Sequence, residues 1–220
     1  MTHTVKDTIP APTLNRLPVY YRRLLDAIGE SAATVSSADL GRSAGVPPAQ
    51  VRKDFSYLSQ KGRPGVGYEV QALASHLETF LGLVKTKDAV LAGAGNLGRA
   101  LALYPGFPAY GLRIVILFDN DPDKVGQEVG GRTVIHVDEM GDLVRRRKIR
   151  IGIITTPEAV AQEVADAMVE AGIKAIWNFA PQSLEVPGDV LVKNEDLAAE
   201  LAVLSHHVKR LRIIPEGGSA

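Results

Sequence analysis

Residues 90–107 read VLAGAGNLGRALALYPGF. A short apolar run leads into Gly93, Gly95 and Gly98, and apolar residues at helical spacing follow. The pattern is G-x-G-x-x-G between a strand and a helix. The first glycine permits a tight turn. The second removes a side chain where a pyrophosphate approaches the backbone. The third lets helix and strand pack closely. The helix start then offers free N–H groups to phosphates. With Asn96 and Leu97 completing the loop, this is the signature of a dinucleotide pocket.

The segments around it fit that reading. DAVLAG, RIVILFD, RIGIITT and KAIWNF are short apolar strands separated by helical stretches over 96–104, 138–147 and 157–171. Such alternation gives a doubly wound parallel sheet. Asp119 closes RIVILFD, 21 residues after Gly98. There its carboxylate accepts from a ribose 2′-hydroxyl. The following Asn120, Asp121, Pro122 and Asp123 include no arginine for a 2′-phosphate, which favours NAD(H) over NADP(H). Thr156 before Pro157 predicts an N-cap with a first-turn proline.

The residues before position 86 have a different texture. Leu17, Tyr20, Tyr21, Leu24, Leu25 and Ile28 recur at helical spacing. Ser36 and Asp39 have capping-box spacing, and Gly45 closes that second helix. Pro47 and Pro48 open a third helix, with Val51, Phe55 and Leu58 facing inward. Gln50, Arg52, Lys53 and Ser56 then face outward, suited to guanine edges and phosphates. Asp54, inside this basic run, is read as the structural partner of an arginine. SQKGRPGVGYEV forms a glycine hairpin with Lys61 and Arg63 at its tip. This order is that of a winged helix-turn-helix. Residues 72–86 read as a linking helix.

The fold expected is therefore α/β: a winged helix-turn-helix over 14–85, a Rossmann-type sheet over 86–194, and a C-terminal helix over 195–214. An arm over 1–13 and a tail over 215–220 flank them. In the last helix Leu197, Leu201, Leu204, Val208 and Leu211 are spaced as a heptad seam, the pattern of a dimer interface.

Bulk composition narrows the partners. The 220 residues carry 25 basic and 25 acidic side chains, so DNA binding must come from a local patch. There is no cysteine, which excludes thiol chemistry and cysteine-held metals. No metal site, membrane span or signal peptide is legible, and a cytoplasmic location is expected. Of the histidines, His136 alone falls in the α/β part, with no evident partner for proton transfer. That argues against an enzyme. Two other readings stay open: a small NAD-dependent oxidoreductase, and a regulator sensing another nucleotide such as coenzyme A.

Taken in order, VRKDFSYL, GVGYEV, GAGNLG, YPGF, FDNDP, TTP, NFAP and KNEDL resemble the redox-sensing transcriptional repressor family called Rex. The resemblance runs from about Leu14 to Val208. It implies a homodimer with a C-terminal helix swapped between subunits. It also implies binding to a palindromic operator when NADH is low, release when NADH binds, and NAD+ as the competing ligand. By the same resemblance Tyr104, Asn178 and Phe179 lie near the nicotinamide, Thr156 of TTP is counted with the cofactor-binding residues, and Asp196 and Arg22 are alternative partners in a switch with Tyr104. The wing departs from the family's Gly-x-Tyr-Gly-x-Arg-Gly pattern: Ser59, Lys61 and Pro64 stand where the Gly, Tyr and Arg would be.

Overall fold

The computed structural model describes residues 9–211. The chain divides into two compact units between Lys85 and Thr86.

In the first unit, α1 (Ala11–Gly29) is followed by β1 (Thr34–Val35), α2 (Ser37–Ala44), α3 (Pro48–Tyr57), β2 (Tyr68–Glu69) and α4 (Val70–Phe80). Helix α1 starts inside the segment expected to be an arm, because Pro12 suits a first turn and Thr13 is buried against Asp54. The capping box at Ser36 and Asp39 is formed, and Gly45 ends α2 with a φ of 64°. Strands β1 and β2 pair antiparallel. Helix α4 is not a linker. Its Leu73, Ala74 and Leu77 are buried, it packs on α1, and it stops at Phe80.

In the second unit, β3 (Lys87–Ala92), α5 (Asn96–Ala102), β4 (Leu112–Asp119), β5 (Val134–His136), α6 (Met140–Arg147), β6 (Ile151–Ile154), α7 (Glu158–Glu170), β7 (Ala175–Asn178) and β8 (Leu191–Asn194) precede α8 (Leu197–Leu211). Six parallel strands lie in the order β5-β4-β3-β6-β7-β8. Side chains alternate between two cores. Val90, Ala92, Ile116 and Phe118 meet α6 and α7 on one face, while Ala89, Leu91, Ile114 and Leu117 fill the other. A sheet covered on both faces explains why its strands read as continuous apolar runs. The strand order reverses between β3 and β6, which opens a crevice at their carboxyl ends, the usual ligand position in such sheets.

Candidate functional site

That crevice is built around the glycine loop. Gly93 has a φ of 100°, and a Cβ there would lie 2.8 Å from the Thr155 carbonyl. A Cβ on Gly98 would lie within 2.8 Å of the Thr155 hydroxyl and would overlap the Gly93 carbonyl outright. Thr155 itself donates to the Ala92 and Gly93 carbonyls at 3.1 and 2.8 Å, tying β6 to the loop. Around Gly95, by contrast, nothing lies within 4 Å of a Cβ. The loop is closed toward the protein and open where a ligand would sit. Asn96 and Leu97 are exposed beside it.

Thr156 does not cap α7. Pro157 occupies the N-cap position, so Thr156 is one residue too early to reach the first free amides. Its hydroxyl is instead buried without a partner, lining the same cavity as Gly93, Gly95 and Asp119. An orphaned donor in that place suits a ligand oxygen. The cavity measures about 800 Å³. Its charged lining is five carboxylates, at Asp119, Asp121, Asp138, Glu163 and Glu170, against two cations, Lys124 and Arg145.

Asp119 is buried at the end of β4. Its Oδ2 accepts from the Ala94 amide at 2.7 Å and its Oδ1 from the Asp121 amide at 3.0 Å. Lys124 Nζ reaches both oxygens at 3.3–3.4 Å. Burial alone would raise this carboxyl. The two amides and Lys124 outweigh it and hold the group below its ordinary value, so it stays an acceptor. Both cations lie beyond the four residues that follow Asp119. Lys124 follows Asp121 at i+3, and Arg145 comes from α6, which sequence spacing alone does not bring near.

On the other side of the loop, four rings stand in a row. Tyr104 meets Phe107 edge-on at 5.0 Å, Phe107 meets Trp177 at 5.8 Å, and Trp177 meets Phe179 at 4.8 Å. Tyr104 and Phe179 are thus brought to one surface, through two aromatics the sequence reading did not single out. Asn178 is buried and holds the loop after β7. Its amide donates to the Ala180 and Gln182 carbonyls and to Asn194, and its oxygen accepts from the Ala180 amide. Trp177 Nε1 donates to Glu195 at 3.1 Å. Asp196 caps α8: its Oδ1 accepts from the amides of Ala198 and Ala199 at 3.0 and 2.9 Å. Arg22 is exposed on α1, in the first unit.

The first unit presents α3. Arg52, Lys53 and Ser56 are exposed, and Val51, Phe55 and Leu58 are buried, as the spacing predicts. Gln50 is the exception. Its amide turns back to Asp54 at 2.9 Å instead of facing outward. Asp54 is fully buried and also accepts from Thr13, Arg16 and Tyr20. The wing hairpin pairs Arg63 with Gly67, so its tip is Pro64-Gly65-Val66, and Arg63 and Lys61 flank the tip rather than form it. Both are exposed. A cleft of about 620 Å³ between α3 and the wing is lined by Arg52, Ser56, Lys61 and Arg63 among others. Against the sequence expectation, Gln50 turns inward and Lys61 and Arg63 stand beside the hairpin tip, while Arg52, Lys53 and Ser56 are exposed as expected.

Among the described residues no helix is long and apolar enough to cross a membrane.

Comparison with known proteins gives the family. A family model described as a CoA binding domain matches residues 84–182, and a DNA-binding protein N-terminus model matches residues 8–56. The redox-sensing transcriptional repressor Rex of Desulfitobacterium hafniense is 46% identical over 200 residues, covering 91% of this chain and 95% of that protein. The Rex of Streptomyces coelicolor is 45% identical over 202 residues, covering 92% of this chain and 78% of that protein. Among solved structures, RSP, a Rex-family repressor, is 36% identical. Its complex with β-NAD+ and operator DNA matches with a TM-score of 0.86 over 94% of this chain and 96% of that one. Its complex with β-NADH matches with a TM-score of 0.84 over 94% and 98%. A winged helix followed by a parallel sheet with an acid-tipped glycine crevice, and relatives this similar over nine-tenths of the chain, place the protein in the Rex family of redox-sensing transcriptional repressors.

Proposed function

We propose that this chain is a dimeric repressor that holds a palindromic operator when NADH is scarce and releases it when NADH fills the crevice of the parallel sheet, with NAD+ as the competing ligand. The observation that carries the proposal is the convergence, in one cavity, of an open Gly95, an orphaned Thr156 hydroxyl and the Asp119 carboxylate. These fit a dinucleotide: the glycine loop takes the pyrophosphate and Asp119 takes a ribose hydroxyl. The nicotinamide is sensed rather than turned over, and members of this family are repressors, not enzymes. The cytoplasm is where such a protein would work.

The DNA-binding residues of this reading are Arg52, Lys53, Ser56, Lys61 and Arg63. That RSP, a Rex-family repressor, forms a complex with β-NAD+ and operator DNA supports a DNA partner for this chain. Dimerisation falls to α8. Leu197, Leu201, Leu204 and Val208, four positions of its heptad seam, are each more than half exposed in the single chain. A second copy covers such a seam. A dimer also suits two half-sites about one helical turn apart. Tyr104, Asp196 and Arg22 serve as the switch, with Asn178 and Phe179 shaping the nicotinamide side.

The test is fluorescence anisotropy on a labelled operator at fixed salt, with NADH, NAD+, NADPH or coenzyme A added. Release by NADH, and by none of the others, is the expected result; release by coenzyme A would overturn the ligand assignment. Linkage requires that NADH bind less tightly when operator is present. Equal affinity with and without operator contradicts the mechanism.

Two variants sharpen this. Asp119→Ala removes charge-assisted hydrogen bonds, and NADH affinity should fall by about 10- to 100-fold. The variant then stays on DNA at NADH concentrations that release the wild type. Lys61→Ala and Arg63→Ala should each weaken operator binding at every sequence alike and reduce the slope of log K against log salt by about 1. An unchanged slope would remove that residue from the phosphate contacts.

A further inference from the structure

Two carboxylates in the crevice share one ammonium. Lys124 Nζ lies 3.3 Å from Asp119 Oδ2, 3.4 Å from Asp119 Oδ1 and 3.3 Å from Asp121 Oδ2. The two acids differ in how firmly they are held. Asp119 is buried and already accepts two backbone amides. Asp121 is half-exposed and spends its other oxygen on the Asp123 amide at 3.0 Å. Lys124 is about one-third exposed and points into the cavity that contains the ribose acid. Its long stem lets the ammonium turn to a new anion without moving the backbone. Arg145, the other cation of the cavity, is held by Asp142 at 2.8 Å.

We infer that Lys124 is a specificity-determining residue: a ready-placed cation for a 2′-phosphate, kept from that role by its ion pair with Asp121. The inference rests on the dinucleotide reading of the crevice. A ribose 2′-hydroxyl needs only the Asp119 acceptor. A 2′-phosphate brings about two negative charges to the same spot. There it meets two carboxylates and a single ammonium that both already claim. Exclusion of NADPH then depends on the Lys124–Asp121 contact as well as on Asp119, and releasing Lys124 shifts the balance toward the phosphorylated dinucleotide.

The experiment is a double-mutant cycle on the full-length chain, reading NADH and NADPH binding by their own fluorescence. Asp121→Asn preserves the shape and can still accept from the Asp123 amide. It is expected to raise the ratio of NADPH to NADH affinity by about tenfold or more, the worth of one charge-assisted hydrogen bond. Lys124→Met lowers that ratio below the wild-type value. The double variant loses the gain. Thermal melts of each variant confirm that the fold is kept. If Asp121→Asn leaves the ratio unchanged, or the double variant keeps the gain, Lys124 is not the determinant and the inference falls, while NADH binding by the wild type still supports the crevice. If the wild type binds no NADH, the dinucleotide reading and the inference fall together.

Discussion

Asp54→Ala is expected to destabilise the first unit by about 3–5 kcal/mol, the usual result of removing one partner from a buried ion pair. The side chain is fully buried on the inner face of α3 and gathers Arg16, Thr13, Tyr20 and Gln50. Alanine would strand the Arg16 guanidinium and leave the buried Tyr20 hydroxyl without its acceptor. Asp54→Asn keeps the volume and part of the hydrogen bonding, so it should cost less. Hydrogen exchange at the amides of α1 and α3 measures both. Operator binding falls with the folded fraction of this unit, although Asp54 itself never faces DNA. The same site sets an acid limit. Burial would raise the Asp54 carboxyl, but Arg16 above all, then Gln50, Tyr20 and Thr13, hold it at about 2. A carboxyl depressed on folding stabilises above its ordinary value of 3.8. That contribution is lost as pH falls from there through about 2, and the Asn variant should not show the loss. An alanine variant as stable as the wild type would contradict the whole cluster.

Gly98→Ala and Gly95→Ala should both weaken release by NADH, for opposite reasons. At Gly98 the added methyl collides with the Gly93 carbonyl, a backbone atom that cannot step aside without opening the loop. Overpacking of this kind costs about 1–3 kcal/mol, so the melt of the second unit should drop. At Gly95 the methyl meets nothing within 4 Å. The fold is therefore untouched, and only a ligand can feel the change. NADH affinity should fall by about tenfold or more from the steric term alone. Both variants become repressors that stay on DNA at NADH concentrations that release the wild type, but only Gly98→Ala melts early. Normal NADH binding by Gly95→Ala would move the pyrophosphate away from this loop.

Much of this was written locally. The glycine loop, the acid at the end of β4 and the inward face of α3 each depend on residues within a few turns of one another, and spacing reveals them. Strands β5 and β8 escaped because each is three or four residues long and lies at a sheet edge, β8 with three of its four residues exposed and none buried. Gln50 was misplaced because it borders the outward face. Its i, i+4 relation to Asp54 was the available sign that it would turn back. Thr156 was given the cap that Pro157 displaced by one residue. Arg145 enters the crevice only because α6 packs across the sheet, which is a tertiary fact.

One detail of α8 bears on how a signal could pass without damage. Asp196 meets both capping amides with the same oxygen, Oδ1. In the proposed switch the other oxygen, Oδ2, is the one a tyrosine or arginine would take. A partner that bound there or left would break neither capping bond, so the first turn of the helix that would hold two subunits together would keep its end through every change of state.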